Sequence, residues 1–123
     1  MPYTWYIYHV PNCLHAKPKP KNKLTAIVCK DLNCMGFLVN TVIHPYILKR
    51  PDLLAAQVKI KASNYKCLNH DSYIDCVDLY AFGDAELLDR RDPINLITRA
   101  EIQKAVNNSK TIVTRLQKLI LNN

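Results

Sequence analysis

Four lysines, Lys17, Lys19, Lys21 and Lys23, stand at every second position in a stretch broken by Pro18 and Pro20. Further along, polar residues interrupt apolar runs: Asn40 and Thr41 within FLVNTVI, and Ser72 and Asp75 within SYIDC, just after His70 and Asp71. Burying such groups costs energy unless they are paired or used. Together they form an inventory of cations, hydroxyls, an imidazole and carboxylates. Cleavage of a ribose phosphodiester needs that inventory: a base to take the 2′-hydroxyl proton, an acid for the leaving oxygen, and a fixed cation to hold the charge of the phosphorane. The ribose supplies its own nucleophile, so the chemistry calls for no metal or other cofactor.

The same residues have plainer readings. Asn40 and Thr41 can satisfy backbone groups at a strand end. His70-Asp71-Ser72 reads equally well as a turn whose side chains fold back onto amides. Asp75 can be a solvated strand residue beside a lysine, and the Lys-Pro segment can serve solubility alone. Cys29-x4-Cys34 with Cys67-x2-His70 supplies the ligand count of a closed zinc site, but the first spacing is loose and Cys29 sits in an apolar strand. Cys13/His15 and Cys67/His70 are sequence neighbours, which rarely make a nucleophile–base couple. Two glycines in the whole chain leave no phosphate-cradling loop, so nucleotide-driven and dinucleotide redox chemistry are set aside.

The elements that must position these groups are those of one small domain. A chain of 123 residues can hold a core without staples, so residues 1–123 read as a single unit, with a barrel over 1–84 and a linker plus helices over 85–123. No window approaches the roughly 18 unbroken apolar residues of a membrane span, and the N-terminal residues do not read as a signal peptide. Five cysteines, an odd number, argue for reduced thiols and a cytoplasmic location. Seventeen Lys and Arg against ten acids leave a net charge of +7, which attracts polyanions, nucleic acid first among them.

Tyr3 to Val10 is aromatic and β-branched and predicts a first strand. Pro11 to Lys23 predicts an extended, solvated, cationic loop, because proline blocks both helix and sheet. Leu24 to Lys30 and Phe37 to Ile43 predict two apolar strands joined in a hairpin by DLNCMG, with Gly36 at the turn. Pro51 followed by DLLAA predicts one helical turn, and Gln57 to Lys61 alternates as a half-wet strand does. Ser72 to Phe82 predicts one last long strand. The period then changes: Thr98 and Glu101 match a capping box, with Ile102, Ala105 and Val106 behind it. Ile112, Val113, Leu116, Leu119 and Ile120 form a second helical stripe. The expected class is mainly β with C-terminal helices, a small bent sheet or barrel.

This layout resembles the MazF/PemK toxin family. KNKLTAIVCK is similar to the basic residue and apolar second strand of that family, FLVNT to its next strand, and DSYIDCVDLYAF to the strand that carries a serine, a cysteine and an acid. ELLDRRDPINLITRAEIQKAV is similar to its linker and C-terminal helix. The resemblance implies an SH3-like barrel that forms a homodimer, cleaves single-stranded RNA without metal at short motifs, and is silenced by a cognate antitoxin protein. It puts Lys21 or Lys23 at the family's arginine, Thr41 or Asn40 at its Thr or Ser, and Ser72 and Asp75 on its third contributing strand.

Two departures stand out. The family's Arg-Pro step is Lys23-Leu24 here, and lysine offers a point charge where arginine offers a fixed fork. The family acid after the cysteine aligns with Val77. Alternation puts Asp75 on the face of Val77 and Asp78 on the other, which favours Asp75 as the substitute. The expectation is therefore that Lys21 and Lys23 hold the phosphorane and Asp75 or His70 moves the proton. Asn40, Thr41 and Ser72 position the phosphate, while Lys17 and Lys19 track the RNA backbone. The rivals are the same barrel binding nucleic acid or protein without catalysis, and a phage or defence accessory whose basic face meets an acidic partner.

Overall fold

The computed structural model describes residues 2–123. Seven antiparallel strands make one strongly curled sheet: β1 (Tyr6–Cys13), β2 (Lys21–Lys30), β3 (Cys34–Asn40), β4 (Gln57–Ile60), β5 (Ser72–Asp75), β6 (Tyr80–Phe82) and β7 (Asp89–Pro93). Their order is β4-β5-β3-β2-β1-β7, with β6 also paired to β3. Two single-turn helices, α1 (Pro45–Leu48) and α2 (Pro51–Leu54), precede β4, and α3 (Leu96–Asn107) and α4 (Thr114–Leu121) close the chain. The class is as expected: mainly β, a small SH3-like half-barrel with C-terminal helices. Among the described residues no helix is long and apolar enough to cross a membrane.

The continuous apolar runs of β2 and β3 follow from burial on both faces of the sheet. On one face Ile7, Ala26, Val28, Phe37 and Ile74 pack with Ile102, Val106 and Ile120 from the helices. On the other, Tyr8, Val10, Ile27, Leu38, Phe82 and Leu87 form a second core. Each such side chain contributes about 1.5–3 kcal/mol on leaving water. Register sends Lys23, opposite Val10, and Thr25, opposite Leu38, to the second face.

Several expectations change. The basic loop is only residues 14–20, because β1 runs on to Cys13 and β2 starts at Lys21. Asn12, at a φ of 50°, absorbs the register shift between Val10 and Cys13, a conformation asparagine tolerates. Gly36 is not a turn residue. It pairs with Ile27 in β3, and a Cβ there would lie 2.7 Å from the Ala26 carbonyl oxygen, so the hairpin needs its bare backbone. β3 ends at Asn40, short of Thr41 and Ile43.

The expected strand from Ser72 to Phe82 is two strands. Val39 pairs with Ile74 while Gly36 pairs with Tyr80, so the intervening chain is too long for the ladder and bulges outward. A strand absent from the sequence expectation, β7, lies in the stretch read as linker and pairs with β1. Thr98 does not cap α3. Asn95 does, its side-chain oxygen accepting from the Thr98 amide at 2.8 Å, and the Thr98 hydroxyl receives the Tyr65 hydroxyl at 2.8 Å instead. Leu96 and Ile97 are exposed, so the first turn carried no apolar stripe to announce it.

Candidate active site on β2 and β3

The first turns of β2 carry the site's cations. Two residues beyond the Thr25–Leu38 pair, Lys23 and Asn40 stand side by side, and the Lys23 ammonium donates to the Asn40 side-chain oxygen at 2.5 Å. An amide satisfies one N–H without neutralising the charge. Burial lowers the proton affinity of Lys23, and neighbouring Lys21 lowers it further, while Cys13 and Asp75 oppose both. A cation that gives up its proton more readily than free lysine is suited to proton transfer as well as charge stabilisation.

Asp75 is positioned rather than free. Its Oδ1 accepts from the Gln57 side-chain amide at 2.9 Å and from the Val77 backbone amide at 3.2 Å. The register Gln57↔Asp75 and Asn40↔Tyr73 puts Asp75 on the sheet face of Asn40 and Lys23, within electrostatic reach of the ammonium. Asp78 follows in the bulge. Burial and Asp75 raise its proton affinity.

At the end of the sheet, Lys21, Lys23, Thr41, His70 and Ser72 line a shallow groove of about 320 Å³ floored by Leu24, Val39 and Leu68. The hydroxyl of Ser72 donates to the His70 carbonyl at 2.9 Å, and Asp71 accepts from the Ala62 amide at 2.9 Å, as the turn reading of this segment expects. His70 itself is exposed. Five of the expected residues therefore meet in one groove, and Asn40 reaches it through Lys23.

Asp75 does not line the groove. Alternation turns it away from Ser72, three residues earlier on the strand, while Lys23 of the groove lining lies within its electrostatic reach. Lys17 and Lys19 lie exposed in the 14–20 loop, away from the groove lining. That loop is held down by His15, whose ring stacks on Tyr80 at 4.5 Å, meets Phe82 edge-on at 5.2 Å and bonds the Ala81 carbonyl through Nε2 at 2.9 Å. Sequence reasoning missed His15, Tyr80 and Gln57. Their roles depend on pairings across 66 residues in one case and 18 in the other, which no local spacing signals.

Among the described residues no three His, Cys, Asp or Glu side chains converge as ligands for a metal ion. Three of the thiols are poor nucleophiles: burial pushes Cys29 and Cys67 up to about 11 and Cys76 higher still.

This half-barrel with its closing helices has a MazF/PemK-like fold. A solved structure with that fold is the Mycobacterium tuberculosis toxin MazF-mt6, which superposes with a TM-score of 0.62 over 84% of this chain and 93% of its own, at 16% sequence identity. No family model matches the sequence, and no curated protein does.

Proposed function

We propose that this chain is a toxin-type endoribonuclease that cleaves single-stranded RNA to a cyclic phosphate without a metal. The carrying observation is Lys23, half-buried, fixed on Asn40 and lowered in proton affinity at the mouth of the groove. Support for the class comes from the fold shared with MazF-mt6, a protein named as a toxin. By the same analogy it works in the cytoplasm as a homodimer restrained by an antitoxin protein.

In this reading the ribose 2′-oxygen attacks phosphorus as its proton passes to His70, and the bond from phosphorus to the 5′-oxygen breaks. Lys23 holds the charge on the phosphorane and gives its proton to the departing oxygen. Lys21 adds a second cation at the rim. Thr41 and Ser72 position the phosphate, and Asn40 aims Lys23. Asp75, anchored by Gln57, acts on Lys23 through its charge. Lys17 and Lys19 follow the RNA backbone beyond the groove.

The test is a defined RNA incubated with purified protein in excess chelator. Cyclic-phosphate ends formed by the wild type and absent with Lys23→Ala support the reading, whereas product formed equally by both overturns it. A second reading, a barrel that grips RNA without cutting, draws on the engaged state of Ser72 and Asp75. It predicts salt-sensitive binding and no product.

A further inference from the structure

On β7 the two neighbouring arginines have opposite situations. Arg91 is paired bidentately with Asp89, at 2.7 and 2.8 Å, and Asp89 also faces His9 at 3.6 Å. Arg90, turned to the other sheet face by alternation, has no carboxylate partner among the described residues. Its guanidinium lies over the rings of Tyr3, at 4.6 Å, and Tyr6, at 5.1 Å. The two rings form a wedge with centroids 5.8 Å apart. The wedge is anchored from below, because the Tyr3 amide donates to the Tyr8 hydroxyl at 2.8 Å.

This arrangement sets a guanidinium against two rings, and no carboxylate among the described residues takes its N–H edge. Stacking on aromatic faces occupies the flat of the guanidinium and spares the fork that matches phosphate oxygens. Beside it opens a cavity of about 500 Å³, walled by Tyr3, Leu87, Leu88 and Asp84, within the range of small-ligand sites. Tyr3 is 56% exposed, so its ring can be reached from solvent. Asp84 also lines the cavity; its carboxylate would repel a phosphate and accept from a base amino group or a ribose hydroxyl. The charges therefore give the ligand a direction: phosphate on Arg90, sugar or base toward Asp84.

We propose that Arg90, Tyr3 and Tyr6 form a second RNA subsite, taking one nucleotide of a strand whose scissile phosphate lies at Lys23. The inference rests on the RNA reading above. The ladder supports one strand reaching both places. Arg90 pairs with Tyr8, two residues along β1 from the partner of Lys23, which puts their backbone positions roughly 12 Å apart on the same sheet face. Between them the strand passes over the 83–88 segment and the lysine loop.

The experiment measures affinity, by fluorescence anisotropy across a salt series, for an RNA of about 12 nucleotides and one of about 4. Arg90→Ala weakens the long RNA about tenfold, lowers its salt slope by about 0.7, one phosphate's share on a single strand, and leaves the short RNA unchanged. Arg90→Lys restores the slope but not the affinity, because an ammonium cannot stack. Tyr3→Ala loses affinity at unchanged slope. If the wild type binds the long RNA and Arg90→Ala binds it as well, the subsite is wrong and the RNA reading stands. If the wild type binds neither RNA, both fall. If the variant loses only a mononucleotide added as competitor, the site takes free nucleotides and the strand proposal is overturned.

Discussion

Lys23 and Arg90 occupy the same sheet face on strands separated by β1, yet their surroundings differ in kind. Lys23 is half-buried, bonded to an amide and crowded by Lys21, so its charge is held at a cost and its proton is loosened. Arg90 is exposed and stacked on two rings, so the rings set the direction of its guanidinium. Burial and like charge prepare a group to exchange a proton, whereas aromatic stacking prepares one to grip. The same formal charge thus meets two environments, decided by what lies beneath it.

The largest effect expected from breaking this contrast is on catalysis. Lys23→Ala is expected to lower the cleavage rate about a hundredfold or more, read from single-turnover kinetics on a short RNA. Arg90→Ala on the same RNA should be neutral. Equal losses from the two variants would erase the distinction.

A subtler separation uses pH. Because Lys23 titrates below the ordinary lysine value of 10.5, the rate of the wild type should fall as pH rises through that lowered value. Asn40→Asp puts a carboxylate on the ammonium, raises its proton affinity and moves this alkaline limb upward. Lys23→Arg removes the limb, since arginine keeps its proton throughout. A limb that ignores both substitutions belongs to another group.

Stability should report the same cause. With its folded proton affinity depressed, Lys23 penalises folding fully at pH below its folded value, and the penalty fades as pH climbs toward 10.5, where the unfolded lysine also loses its proton. Lys23→Met is therefore expected to raise the denaturation midpoint at neutral pH, with the gain shrinking in alkali. A gain that is constant with pH would point to packing rather than charge. The smallest effect is expected at the paired neighbour. Asp89→Asn removes an exposed ion pair with Arg91, and such pairs contribute little, so neither the melting temperature nor RNA affinity should move measurably.

Much of this site is legible from residue types alone. Asn40 and Thr41 stand out because a polar pair ends an apolar run, and Lys21 and Lys23 because of their spacing before one, and the groove brings Lys21, Lys23 and Thr41 together. Asp75 shows the limit. Placing it on the face of Val77 assumed one straight strand from Ser72 to Phe82, but the chain leaves the ladder after Asp75, and period-two alternation has no meaning across a bulge. Arg90 carried no signal at all. DRRDP lacks every mark of a strand by composition, and it becomes one only because β1 offers it an unpaired edge.

What the sequence determined by itself are the properties that depend on near neighbours: apolar runs buried on both faces, helical stripes at the C-terminus, a cationic loop, and thiols set among aliphatic residues. Burial is cheapest for such segments in one conformation, and their periodicity says which. The tertiary structure alone decided which polar group meets which. Lys23 on Asn40, Asp75 under Gln57, His15 on Tyr80 and Arg90 between two tyrosines are joined across the sheet. Such pairings are set by register and by a bulge of a few residues, and a shift of one residue sends every side chain to the other face.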